Sequence, residues 1–354
     1  MECVTLKDRK VGDGHETVFL AEIGSIFNHS KDEAKRLIKA AADANVDFLK
    51  GEILHSPDFS LDDEYVFSYQ CGPEEKTKSE SHREIVKRKV NPLDFYRDIF
   101  EYSRKLGLEF IVSVYDLESI YFLEDIQPAA VKIASSNINH EPLIQVASEA
   151  GFPLIFDAGN TYLGEVGRAI TWTNKYKAPG VIIQHHPGSG PALAETHNLK
   201  IMQTYKEAFK TPVGLSCHYI GDEMLYTAIG MGANTLEKPI SFDPKKEDID
   251  TVFSLHIEDL PKVVQKIKNS WKAIGTAPLP LKPDRNLDQR MGLVASNSLE
   301  VGDNIDFENI RFALPCRGIS VEHWSVVKNK KINTSLQEGT PINWSDIDFG
   351  AHNP

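Results

Sequence analysis

AVKIASSNINHEPLIQVASEAGFPLIFD, residues 130–157, holds the unit from which the rest of the chain can be read. The apolar run 130–134 predicts a buried strand. Residues 141–149 carry apolar positions at helical spacing and meet Gly151, a helix stop. Residues 153–157 form a second apolar run of strand length. Strand, helix and strand in that order read as a unit of a parallel sheet.

The same alternation continues in both directions. Toward the N-terminus it predicts strands at 18–22, 48–52 and 109–113. Helices are predicted at 32–44, 93–106 (ended by Gly107) and 117–123. Ser30-x-x-Glu33 resembles a capping box opening the first of these helices. Toward the C-terminus it predicts strands at 180–185, 213–216 and 235–238, with helices at 164–173, 198–209 and 222–231 and a closing helix at 257–273. Eight such units predict an α/β fold, a (β/α)8 TIM barrel over residues 1–280. A doubly wound sheet is the rival; it has fewer strands and usually a glycine-rich first turn, which Glu22-Ile-Gly-Ser is not.

Ala277-Pro-Leu-Pro-Leu-Lys-Pro reads as a linker. Residues 288–354 beyond it read as a small β-rich domain with two similar turns, Leu299-Glu-Val-Gly-Asp and Leu336-Gln-Glu-Gly-Thr. The polar stretch Asp58–Asn91 follows the second strand, where it reads as a plain surface insertion or as a loop over the barrel mouth.

With 39 Lys+Arg against 51 Asp+Glu, the net charge of −12 argues against a nucleic-acid surface. Small anions remain possible ligands through a local basic pocket. Four scattered cysteines without a C-x-x-C pair fit a reducing, cytoplasmic setting. No apolar run reaches the length of a membrane span or signal peptide.

Several strings, taken in order, resemble the sialic acid synthase family. They are Leu20-Ala-Glu-Ile-Gly, Lys132-Ile-Ala-Ser, Pro212-Val-Gly-Leu-Ser-Cys-His, Leu236-Glu-Lys, Phe253-Ser-Leu, and Leu299-Glu-Val-Gly-Asp followed by Pro315-Cys-Arg-Gly-Ile-Ser. The resemblance extends to a C-terminal antifreeze-like (SAF, β-clip) domain. It implies condensation of phosphoenolpyruvate with an N-acetylated amino sugar or related aldose, releasing phosphate, in surface glycan biosynthesis. It also implies a divalent metal (Mn or Mg) that polarises the aldehyde, and a homodimer in which the small domain of one subunit closes the other's site.

Carried onto this sequence, the resemblance makes Glu22 an acid/base or sugar contact at a strand end. Lys50 and Glu52, two apart on one strand, share a face. Lys50 suits an anion, Glu52 replaces a neutral amide, and the alternative is a Lys–Glu pair filling a polar interior. Lys132 and Ser135 match phosphoenolpyruvate ligands; Asn137 replaces a glutamate. Ser216 and His218 match a phosphate-binding serine and a metal-binding histidine, Lys238 falls among the substrate contacts, and Asp250 matches a sugar-hydroxyl ligand.

Other positions depart from the pattern. Pro239 stands where the second metal histidine is expected, Asp157 replaces a phosphate-binding serine, and Gly188 and Gly190 replace an asparagine and a tyrosine. Leu314 replaces a sugar-contacting arginine, with Arg317 three residues on and expected to approach the partner's barrel mouth. Asp157 and His186 suggest a rebuilt metal site with His218; the alternative is that His185-His186 pack and hydrogen-bond in their loop. Three functions stay open: a synthase of altered sugar specificity, an aldolase, lyase or metal hydrolase on the same barrel, and a non-catalytic sugar-binding homologue.

Overall fold

Eight parallel strands close into a barrel: Val18–Gly24, Phe48–Glu52, Phe110–Ser113, Ala130–Ile133, Leu154–Asp157, Val181–His185, Val213–Ser216 and Thr235–Ser241. Closure is made by the eighth strand lying beside the first, in register from Thr235↔Val18 to Pro239↔Glu22. This computed structural model describes residues 3–63, 65–72, 76–188, 190–276 and 287–350. Two units are distinguished, Met1–Gly275 and Thr276–Pro354. The proline-rich linker read from the sequence lies outside the described residues.

Helices follow the strands for reasons visible in their residues. Lys31–Asp43 is opened by Ser30, whose Oγ accepts the Glu33 N–H at 3.1 Å. It buries Ala34, Leu37, Ile38 and Ala41, the i, i+3, i+4, i+7 stripe of a helix lying on a sheet. Glu141–Glu149 is opened by His140, whose Nδ1 accepts the Leu143 N–H at 3.2 Å. Gly107 and Gly151, just past two of the helices, hold φ of +79° and +81°, a conformation that favours glycine.

Period-two alternation fills the barrel in layers. Inward positions in the first half of the strands are apolar: Val18, Leu20, Phe48, Ile111, Ile155 and Ile182 form one buried cluster. An N-terminal hairpin, Val4–Leu6 with Arg9–Val11, adds Val4, Leu6 and Val11 to that cluster and plugs this end. The next inward layer is polar, and it builds the site.

The stretch after the second strand is not the plain loop that its polarity suggested. It contains an antiparallel hairpin, Val66–Cys71 with Lys76–Ser81, and a short helix, His82–Lys87. Tyr69, Cys71 and Ile85 give it a small apolar centre of its own.

In the second unit, Gly292–Ala295 pairs with Ile310–Ala313, and Lys331–Ile332 with Ile347–Asp348, around Leu293, Leu299, Ile305, Ile319 and Ile342. The two similar turns of the sequence are structural partners. Leu299 and Leu336 exchange backbone hydrogen bonds at 2.8 and 2.9 Å.

Candidate active site

Strand parity decides which side chains reach the barrel mouth. The inward layer beyond the apolar plug consists of Glu22, Lys50, Ser113, Lys132, Asp157, Ser216 and Glu237, with Glu52, His186 and His218 one step further out. These residues line a cavity of about 220 Å³ together with Ser135 and Asp250. Part of its rim comes from the segment after the second strand, through Phe59, His82, Ile85 and Lys89.

The lysines are buried and already paired. Lys50 Nζ donates to Glu22 Oε1 at 2.5 Å and stands 3.8 Å from Glu52 Oε1, with 7% of its side chain exposed. Burial pulls its ammonium toward the neutral form, but Glu22, Glu52 and Glu237 outweigh that and hold it well above the ordinary lysine value. Lys132, 3% exposed, donates to Glu237 Oε1 at 2.6 Å and lies 3.1 Å from Asp157 Oδ2. Burial again opposes the charge, and Glu237 and Asp157 overcome it. Asp157 is lowered for the reciprocal reason: Lys132, and after it His186, prevail over burial. Ser216 donates to the same Glu237 oxygen at 3.3 Å, leaving Glu237 Oε2 buried with no hydrogen-bond partner.

Across the cavity the balance is different. Tyr115, stacked on Phe59 with ring centroids 4.9 Å apart, donates its hydroxyl proton to Glu52 Oε2 at 3.1 Å. Lys89 is held by Asp248 at 3.2 Å. Burial first, then Glu22 and Glu52, push the Asp250 carboxyl up to about 7. Asp250 therefore stands near half-protonation at neutral pH.

His186 and His218 form a closed pair. Their Nε2 atoms are 3.2 Å apart and their rings meet edge to face, while His218 also stacks on Phe253 at 4.3 Å. Two glycines, Gly159 and Gly190, make the niche. A Cβ on Gly159 would lie 2.3 Å from His186 Nδ1, and one on Gly190 would lie 2.4 Å from Phe253 and 2.9 Å from His218 Nδ1. One on Gly188 would strike Asn160 at 2.2 Å. Burial, then the neighbouring His186 and Lys238, keep His218 well below the ordinary histidine value, hence neutral.

This pair does not fit the divalent metal that the sequence resemblance implies. The Gly188 N–H donates to His186 Nδ1 at 2.9 Å, a contact that leaves only Nε2 to carry a ring proton. A metal bound through Nε2 would need the reverse tautomer, and Nδ1 is already taken by the Gly188 N–H, while Nε2 faces the other ring. The other nitrogen of His218, Nδ1, is buried without a hydrogen-bond partner beside Gly190. Pro239, facing inward opposite Glu22, has no ligating group. Among the described residues no group of three or more His, Cys, Asp or Glu is arranged to hold a metal ion. Of the two readings of His185-His186, packing and hydrogen bonding describe the geometry: His185 Nε2 meets the His197 carbonyl at 2.5 Å.

Glu22, Lys50, Glu52, Lys132, Ser135, Asp157, Ser216, Asp250, His186 and His218 thus meet in one cavity. Three other candidates are not among its lining residues. Lys238 has the opposite parity to Glu237; it points out of the barrel, on the face that carries Leu236 and Ile240, and bonds the Tyr219 carbonyl beside Cys217. Asn137 ties its turn to the Val114 carbonyl at 3.3 Å. Arg317 is exposed on the second unit with Nη1 2.5 Å from Asp288. The reading missed Glu237, Lys89 and Tyr115. Parity alone would have found Glu237, since it lies two residues after inward Thr235.

Fold and site together define a (β/α)8 barrel protein with polar machinery at the carboxyl ends of its strands and a separate small β unit. Residues 37–278 match the NeuB family and residues 290–348 the SAF domain; the chain belongs to the NeuB family. It is 29% identical to an uncharacterized protein of Methanocaldococcus jannaschii, over 98% of this chain and 99% of that one. It is 27% identical to the N,N'-diacetyllegionaminic acid synthase of Legionella pneumophila, over 95% and 96% of the two chains. Among solved structures, the N-acetylneuraminic acid synthetase of Leptospira borgpetersenii, crystallised with citrate, superposes with a TM-score of 0.70 at 25% identity. That match covers 80% of this chain and 93% of the other. The named relatives are synthases, at identities that mark this chain as a divergent member.

Proposed function

We propose that this protein joins phosphoenolpyruvate to the aldehyde of an open-chain amino sugar or related aldose, in cytoplasmic synthesis of a nonulosonic acid for surface glycans. The enol carbon forms the new bond to the aldehyde carbon, the aldehyde oxygen takes a proton, water supplies the new oxygen, and inorganic phosphate leaves. The observation that carries this reading is the convergence of two buried lysines, Lys50 and Lys132, with the hydroxyls of Ser113, Ser135 and Ser216 in one cavity. Buried ammonium groups need counter-charges, and without substrate the carboxylates provide them. An anionic donor exchanges with Asp157 and Glu237 at Lys132. Lys50, carrying its proton beside Glu22, faces the acceptor carbonyl and polarises it in place of a metal.

The aldolase or lyase alternative, working through a lysine Schiff base, has less support, because its nucleophile must be a neutral amine. Lys132 is held charged by Glu237 and Asp157, and Lys238, which burial pulls down, points out of the barrel. The hydrolase alternative needs the metal that the histidine pair does not fit. The test is to incubate the protein with phosphoenolpyruvate and a panel of N-acetylhexosamines, free hexosamines and plain aldoses. Phosphate release should appear together with a product whose mass is that of phosphoenolpyruvate, the aldose and one water less phosphoric acid; no release across the whole panel refutes the reading.

A further inference from the structure

Every lysine in the cavity is already matched. Lys50 stands 2.5 Å from Glu22, Lys132 stands 2.6 and 3.1 Å from Glu237 and Asp157, and Lys89 stands 3.2 Å from Asp248. What remains short of hydrogen-bond donors is acidic. Glu52 has only the Tyr115 hydroxyl at 3.1 Å and a lysine at 3.8 Å that sits closer to Glu22. The Asp250 carboxylate has no hydrogen-bond or ion-pair partner among the described residues, and Glu22 and Glu52 lie near enough to push its carboxyl up. Glu237, 1% exposed, keeps one oxygen unpartnered. Carboxylate oxygens left short of partners in a cavity are costly, so its receptive positions call for hydrogen-bond donors, and best for a positive one.

We infer that the acceptor binds as a cation: an aldose with a free, protonated amine, its ammonium seated between Glu52 and Asp250. This rests on the reading of the cavity as a synthase site and specifies its second substrate. An ammonium brings three donors and a charge to these oxygens, whereas an N-acetyl group brings one N–H and a carbonyl oxygen that the carboxylates repel. The cation also offsets the charge of an anionic donor beside it.

The test uses reduced open-chain sugars, which cannot react. Calorimetry at pH 7 compares 2-amino-2-deoxyhexitol with its N-acetyl derivative on the full chain. The free amine should bind at least tenfold tighter, and the preference should fall below threefold in Glu52→Gln and in Asp250→Asn, each checked for unchanged far-UV dichroism. Equal or tighter binding of the acetamido compound, binding of neither, or a preference that survives both folded variants overturns the inference. A variant that does not fold is replaced by Glu52→Asp, in which the charge and the preference should remain while Tyr115 loses its partner; loss of the preference there counts against the seat. Phosphate release from phosphoenolpyruvate separates the two levels. Release with the acetamido aldose but not with the free amine overturns this inference and leaves the synthase reading intact. Release with no aldose refutes the synthase reading, while the hexitol comparison still tests the charge of the ligand.

Discussion

Asp250→Asn should change how the stability of the barrel depends on pH, and the size of the change follows from the site. The Asp250 carboxyl is pushed up to about 7, against an ordinary aspartate value of 3.8. A carboxyl raised in the fold keeps its proton longer there than in the unfolded chain, so its contribution is fully present below the unfolded value and is lost as pH rises through the folded value. The window therefore runs from about pH 4 to somewhat above pH 7. It spans about three pH units at about 1.4 kcal/mol each, a ceiling of about 4 kcal/mol. The cavity admits water to this carboxyl, so we expect about 2 kcal/mol to be realised. Asp157 works in the opposite direction, since its lowered value makes its contribution disappear as pH falls. The informative quantity is thus the difference between wild type and variant. Guanidinium unfolding followed by far-UV dichroism from pH 5 to 8.5 should show Asp250→Asn gaining steadily on wild type, reaching about 2 kcal/mol at the alkaline end. A difference flat to within about 0.5 kcal/mol, or one that falls with pH, would refute the picture of three converging carboxylates served by one lysine.

Lys132→Ala should weaken phosphoenolpyruvate binding by about 2–5 kcal/mol in calorimetry, because it truncates one partner of a desolvated charged group and leaves Asp157 and Glu237 facing each other. Gly190→Ala places a Cβ 2.4 Å from Phe253; thermal unfolding should report a loss of about 1–3 kcal/mol, as for other overpacked sites. Metal analysis of protein purified without added ions should find substoichiometric Mn and Mg, and chelator should leave the melting temperature unchanged. Stoichiometric metal that disappears in His186→Ala would reverse the assignment of that pair. Light scattering should report a homodimer at micromolar concentration, with Arg317→Ala weakening it if the small domain reaches the partner's barrel; a stable monomer counts against this assembly.

The barrel was legible because its strands and helices carry different periods, and each unit repeats the signal. The strand 213–216 needed no correction, and the helix 93–106 ends where Gly107 said it would. The hairpin Val66–Cys71 with Lys76–Ser81 was not legible as structure. One of its strands, Lys-Thr-Lys-Ser-Glu-Ser, has no apolar residue, and it is held by backbone pairing to a partner whose Phe67, Tyr69 and Cys71 do the packing. The N-terminal hairpin was hidden similarly, since strands of three residues are too short to show a period. Within the site, side-chain type was a poorer guide than parity. Lys238 attracted a substrate role because lysines suit anions, yet inward Glu237 is the residue that touches Lys132 and Ser216. Distances between strands far apart in sequence, such as Lys132 to Glu237, exist only once the barrel closes.

The departures at the mouth are coupled. Glycine at 188 and at 190 would by itself leave space. Here the space is filled: Gly190 admits the His218–Phe253 stack, and Gly159 admits the His186 ring. His186 in turn meets His218 and lies near Asp157, and Asp157 shares Lys132 with Glu237. A larger residue at any one of these glycines would strike an atom already in place, for example Asn160 from a Cβ on Gly188 at 2.2 Å. Gly159 and Gly190 leave room for one histidine pair, and Asp157 meets the buried Lys132, so the site is constrained by packing and by charge. The charge constraint shows in the lysines as well: every buried lysine that lines the cavity has a carboxylate within 3.2 Å.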